Sequence, residues 1–95
     1  MDFPFKEKQI SENRVVRLFE SKTESDELVW HRDREDRTIT IHESNGWKIQ
    51  YDNQLPVEMK KGDTFKIKAY EYHRVIKGEG RLVVEIKKGD TLHQS

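Results

Sequence analysis

The sequence predicts an all-β fold of short antiparallel strands, and three observations carry that expectation. Apolar and polar residues alternate with a period of two through four separate segments. Turns rich in glycine divide those segments. No stretch shows the apolar stripe of an amphipathic helix.

Taken in chain order, Arg14 to Phe19 is a weaker strand candidate, and Glu20 to Leu28 has helical composition without an apolar face, so a loop is expected there. Ile39 and Ile41 alternate with Thr38, Thr40 and His42, which predicts a half-buried strand over Thr38 to His42. Trp47, Ile49 and Tyr51 alternate with Lys48, Gln50 and Asp52 in the next strand, and Leu55 to Met59 is again weaker. Phe65 and Ile67 mark a strand over Thr64 to Lys68, and Leu82, Val84 and Ile86 mark one over Leu82 to Lys87. Trp47, Ile49, Tyr51, Phe65, Ile67, Val75, Leu82, Val84 and Ile86 form the expected core. Glu43-Ser44-Asn45-Gly46 has the chemistry of a tight hairpin turn, because Asn and Gly tolerate positive φ; Lys61-Gly62-Asp63 and Lys77-Gly78-Glu79-Gly80 read the same way. Lys60 to Thr64 recurs as Lys87 to Thr91, which we read as two similar turns because the flanking segments differ. Thr91 to Ser95 is expected to be a loose end.

Ninety-five residues suit one domain spanning 1–95. Eighteen basic and eighteen acidic residues balance, so neither nucleic acid nor an anionic membrane is an expected partner. Cysteine is absent, which excludes disulfides and thiolate metal sites. No apolar run is long enough to span a bilayer, and Met1 to Lys6 lacks a secretory apolar region, so a cytoplasmic protein is expected.

The chemistry concentrates in Trp30-His31-Arg32-Asp33 and in His73-Arg74-Val75. On an extended strand His31 and Asp33 share a face. A second strand that brings His73 opposite them would assemble two imidazoles and a carboxylate, a common ligand set for a divalent transition metal. The plainer alternative is a solvated strand in a charge-rich run with ordinary ion pairs.

Across Leu28 to Ile86 the sequence resembles the cupin superfamily, whose members are small jelly-roll barrels. The first cupin motif, Gly, five residues, His-x-His, three or four residues, Glu, six residues, Gly, is matched by His31-Arg32-Asp33, then Arg37, then Ser44 with Gly46 two further on. The second, Gly, five residues, Pro-x-Gly, two residues, His, is matched by Gly62, Lys68-Ala69-Tyr70 and His73. Asp33 stands in place of the second His, Arg37 in place of the Glu, and Lys68 and Tyr70 in place of the turn Pro and Gly. The resemblance implies a cupin-like jelly-roll barrel over about residues 28–87, and a metal-capable site of His31, Asp33 and His73. It also implies a homodimer.

Arg37 cannot ligate a cation. It either clamps the carboxylate or phosphate of a ligand or pairs with Asp33. Tyr51, with its polar tip, is the candidate pocket wall that touches substrate, while Tyr70 and Tyr72 are expected at the rim or at a dimer contact. Arg32 and Arg74 have the opposite parity and are expected to point away, pairing with Glu71 or Asp36. Glu71 is a substitute ligand candidate, though a solvent-facing acid is the simpler reading. His42 and His93 read as solvated. The expected function is metal-capable binding of a small molecule, with iron, manganese, nickel or zinc as the ion. The alternatives are an iron(II)-dependent oxygenase-like enzyme acting on a small organic acid, and a metal-free structural or assembly domain.

Overall fold

The computed structural model describes residues 5–20, 22 and 28–89. Most of the expected loop from Glu20 to Leu28, and the expected loose end with His93, lie outside the described residues. Eight strands are described: β1 (Phe5–Ser11), β2 (Arg14–Phe19), β3 (Arg37–Glu43), β4 (Lys48–Tyr51), β5 (Val57–Glu58), β6 (Thr64–Ile67), β7 (His73–Ile76) and β8 (Leu82–Lys88). There is no α-helix among the described residues, so the all-β class holds. Nor is there a helix long and apolar enough to cross a membrane among them.

The strands form two antiparallel sheets, one in the order β1-β2-β8-β3-β6 and one in the order β5-β4-β7. The two sheets fit the jelly-roll class, with one difference from the sequence reading. The three glycine turns do not close hairpins. The turn at 44–47 joins β3 to β4, that at 59–63 joins β5 to β6, and that at 77–81 joins β7 to β8. Each therefore carries the chain from one sheet to the other. Local turn chemistry is the same for a hairpin and for such a crossing, and only long-range pairing separates them. Among the described strands, two consecutive pairs are joined directly, β1 to β2 by residues 12–13 and β4 to β5 by residues 52–56.

Alternation places the core as expected. Trp47, Ile49, Ile67, Val75, Leu82, Val84 and Ile86 are buried, joined by Val15, Phe19, Ile41 and Met59, with Tyr51 and Phe65 packed against them. Residues from both sheets meet in this cluster, so the inner faces of the two layers form one core. The Phe19 and Trp47 rings lie 6.2 Å apart at 48°.

The crossings at 44–47 and 77–81 press against each other, and Glu79 N–H donates to the Asn45 carbonyl at 2.8 Å. A Cβ on Gly78 would stand 2.2 Å from the Asn45 oxygen and 2.4 Å from the Trp47 nitrogen. Both are backbone atoms, so neither can rotate away. Gly78→Ala is therefore expected to cost stability toward the upper end of the ~1–3 kcal/mol typical of overpacking. Gly80→Ala, in open space at φ +69°, should cost only the left-handed penalty of about 1 kcal/mol. Urea unfolding checks the order: the Gly78→Ala midpoint should fall below that of Gly80→Ala.

Candidate metal centre

Two segments build the site, one that precedes β3 and one that leads into β7. His31 N–H donates to the His73 carbonyl at 3.0 Å, and His73 N–H donates to the His31 carbonyl at 2.9 Å. This isolated antiparallel bridge sets the two residues directly opposite each other, and opposed residues of such a pair share a face. The imidazole centroids are accordingly 4.3 Å apart, with the ring planes at 59°. Asp33 is not on a strand, contrary to the parity argument that paired it with His31. It reaches the histidines because its loop is tied to the turn before β7. The Asp33 carbonyl accepts Tyr70 N–H at 2.7 Å, and Asp36 Oδ1 accepts Ala69 N–H at 2.8 Å.

The histidine tautomers follow from the backbone. Nδ1 of His31 lies 2.8 Å from the Val29 carbonyl, and Nδ1 of His73 lies 2.8 Å from the Glu71 carbonyl. A carbonyl can only accept, so each Nδ1 carries a proton, and a neutral ring then bears its lone pair on Nε2. His73 Nε2 stands 3.3 Å from Asp33 Oδ2, an ion-pair distance whose geometry falls short of a hydrogen bond, leaving that buried oxygen without one. His31 Nε2 is buried as well. One ligand atom from each of the three residues lies within 4.8 Å of the others. Bonds of ~2.0–2.2 Å to a shared ion hold donors at most about 4.4 Å apart, so small side-chain adjustments suffice. Lone pairs aimed at one another need a cation between them, either a proton on Nε2 or a metal. Two imidazoles held through Nδ1–H to carbonyls, with a carboxylate, fit a divalent transition metal.

Of the two sequence-based alternatives for Arg37, the pairing with Asp33 is present, and Glu35 is a second partner. Arg37 Nε donates to Glu35 Oε2 at 2.7 Å, and its Nη1 stands 3.5 Å from Asp33 Oδ1. Burial pushes the Asp33 carboxyl up, but the His73 ring, the Arg37 guanidinium and the charge of both histidines outweigh it and hold its pKa below the ordinary value. Glu35 gave no signal in the sequence beyond membership of a charge run.

The other candidates fall as follows. Tyr51 pairs with His73 across β4 and β7, and its hydroxyl donates to the Lys66 carbonyl at 3.0 Å, linking the two sheets. Burial and the Glu71 charge push that hydroxyl up, so it stays a donor. Glu71 is outside the trio that could hold an ion and accepts Lys68 N–H at 3.1 Å. Arg32 and Arg74 do point outward, but they stack on aromatic rings where acidic partners were expected. Arg74 lies 4.9 Å from the Trp30 ring centre and Arg32 5.1 Å from that of Tyr72. Their register across the His31–His73 bridge makes these rings the nearest partners. Tyr70 and Tyr72 are exposed, and Tyr70 holds φ +65° where the cupin turn has Gly. His42 is exposed, 3.3 Å from Glu85 Oε1.

No protein-family model matches the sequence, and no curated protein matches it. Solved structures do. A putative mannose-6-phosphate isomerase from Ralstonia eutropha is similar with a TM-score of 0.67 at 20% identity, over 90% of this chain and 82% of that one. A cupin superfamily protein from Desulfitobacterium hafniense is similar with a TM-score of 0.63 at 20% identity, over 90% and 76%. The iron(II) form of HppE is similar with a TM-score of 0.60 at 10% identity, over 80% of this chain and 41% of that one. These likenesses establish a cupin-like fold.

The lowered Asp33 pKa has a sign that can be checked in metal-free protein. A carboxylate depressed in the folded state stabilises the fold above its unfolded pKa of about 3.9, and that stability is lost as pH falls through the lower folded value. Asp33→Asn should therefore unfold at lower urea than the parent at pH 7, and the gap should close below about pH 4. A gap independent of pH would contradict the assignment.

Proposed function

We propose that this chain is a metal-dependent small-molecule-binding protein in which His31, Asp33 and His73 hold one divalent transition metal and Arg37 orients an acidic ligand. The observation that carries this reading is the pair of Nδ1–carbonyl contacts, which leaves Nε2 of each ring as the ligand atom in a cluster with the Asp33 carboxylate. Iron, manganese, nickel and zinc all accept such a donor set. Bound there, the ion supplies a Lewis-acid centre that polarises a ligand oxygen. Arg37, held by Glu35, supplies a fixed guanidinium beside it, suited to a carboxylate or phosphate. Tyr51, braced on Lys66, is the wall next to His73.

A second reading, an oxygenase-like enzyme acting on a small organic acid, is favoured by the donor set. Two imidazoles and one carboxylate are the ligands of non-haem iron(II) oxygenases, and HppE, crystallised with iron(II), shares the fold. The identity of the ion separates the two readings, since zinc supports no redox chemistry.

Elemental analysis of protein purified without a metal-affinity step should find one transition metal per chain. His31→Ala and His73→Ala should each weaken metal uptake by at least ~10-fold. Uptake by the parent should fall on acidification, because protons compete for the same Nε2 lone pairs. Metal uptake unchanged in both variants would remove the site. The reading includes a homodimer, motivated by the outer edge of β1, which has no partner among the described strands. Sedimentation should give twice the chain mass.

A further inference from the structure

The outer face of the larger sheet concentrates basic side chains that the charge total of the chain conceals. Strand register places each outward residue. In β2 the buried positions are Val15, Arg17 and Phe19, so Arg14, Val16 and Leu18 face out. Directly opposed residues of a strand pair share a face, which carries the assignment across the sheet. Lys6 and Lys8 of β1 oppose Leu18 and Val16. Lys87 of β8 opposes Arg14, and Thr38 of β3 stands between Lys87 and Lys66 of β6. Arg14, Lys87, Thr38 and Lys66 therefore form one row across four strands, about 14 Å long at the usual spacing between strands.

Among the described residues this face carries five basic groups, Lys6, Lys8, Arg14, Lys66 and Lys87, all exposed. Glu85 answers only part of that charge, at 3.6 Å from Arg14 and 3.3 Å from His42. Glu43, at the end of β3, is taken up by Arg81 at 3.0 Å, and Glu7 turns inward to Arg17. The four lysines make no ion pair among the described residues. Arg14 and Lys87 even stand directly opposite each other, an arrangement that destabilises a sheet where an acid at either position would stabilise it. The chain as a whole balances eighteen basic against eighteen acidic residues, so the rest of the molecule is acidic. Neutrality argues against an anionic partner only where charges are evenly mixed, and here they are sorted by face.

We infer that this face docks on an anionic lipid surface. A second copy of the same face would repel it. Protein interfaces are poor in lysine and centre on aromatic anchors, and no Phe, Tyr or Trp is among these outward positions. Single-stranded nucleic acid is bound on aromatic stacking platforms. Duplex grooves admit a helix or a two-stranded ribbon, which a five-stranded face is too broad to imitate. A broad basic face with aliphatic Val16 and Leu18 beside its lysines suits a plane of anionic headgroups, toward which each Lys or Arg adds attraction without a fitted partner. The smaller sheet and the His31–His73 bridge belong to the other layer and stay open to a ligand. The inference is independent of the metal-binding reading.

The test is sedimentation of the protein with vesicles of phosphatidylcholine alone and of phosphatidylcholine and phosphatidylserine in equal parts. The acidic vesicles should carry the protein down, and the neutral ones should not. Raising salt from about 0.1 M to about 1 M should release it, as the Debye length shrinks from about 10 Å to about 3 Å. Lys66→Gln together with Lys87→Gln should weaken binding about thirtyfold, the share of two surface cations. Both positions are exposed, and the change removes the Arg14–Lys87 repulsion, so this variant is expected to fold. Arg32→Gln together with Arg74→Gln removes as many charges from the outside of the smaller sheet and should weaken binding far less. Equal sedimentation with both kinds of vesicle, none with the acidic kind, or as large a loss in the Arg32 and Arg74 variant would overturn the inference. A single-stranded oligonucleotide is the competing polyanion. Binding to it that depends on Lys66 and Lys87, without binding to the acidic vesicles, would also overturn the lipid assignment.

Discussion

Two backbone hydrogen bonds between His31 and His73 organise the candidate site in this fold. They draw an otherwise irregular segment against β7, and the pairing fixes which side chains turn inward. Both imidazoles face the interior, while Trp30, Arg32, Tyr72 and Arg74 are left outside, where they stack as two cation–aromatic pairs. The same bridge brings the 33–36 loop close enough for Tyr70 and Ala69 to bond to it. Asp33 is thus positioned by main-chain contacts more than by its own side chain. A ligand set built this way depends on few residues of the surrounding sheet, which is how a small fold can hold three donors from two distant stretches of chain.

The interior around those donors carries an unusual concentration of charge. Asp33 and Arg37 are nearly buried, with side chains 9% and 12% exposed, and Arg17 is buried on β2 of the larger sheet. Buried ions of this kind rarely repay their desolvation in stability. They are held in place by one another, through the Arg37–Asp33, Arg37–Glu35 and Arg17–Glu7 pairs. Tyr70 is a comparable case in the backbone. Its left-handed conformation costs about 1–2 kcal/mol for a residue with a Cβ, and its N–H bond to the Asp33 carbonyl offsets part of that cost while tying the turn to the ligand loop.

Much of the fold was legible in the sequence because burial on one face of a sheet writes a period of two. The strands around Ile39, Ile49, Ile67 and Val84 were readable for that reason, and so were most core residues. β1 left no such mark. Its residues Lys6 to Ser11 are all exposed and mostly polar, as suits an edge strand protected against unwanted pairing. The glycine turns were readable as turns but not as crossings between sheets, since the strand partners lie far away in sequence. For the site, His31, Asp33 and His73 were legible through motif spacing, although strand parity was the wrong reason for Asp33. Arg17 was missed because a single charge at an inward position weakens the alternation that identifies the strand. The signal was present all the same: Val15, Arg17 and Phe19 share one parity, and a lone arginine in such a series marks a guanidinium held inside by a carboxylate, here that of Glu7.

The stack of Trp30 under Arg74 has an optical consequence. The chain has two tryptophans, and they occupy opposite environments: Trp47 is fully enclosed, whereas Trp30 is 42% exposed and adjoins His31. Their emission therefore divides by place. Trp47 fluoresces from a dry interior and reports only whether the two sheets remain packed. Trp30 fluoresces from water beside a guanidinium, one residue from an imidazole donor, and is open to soluble quenchers. Intrinsic fluorescence in this protein thus carries two separable colours, one for the integrity of the fold and one for the surroundings of the His31–Asp33–His73 cluster.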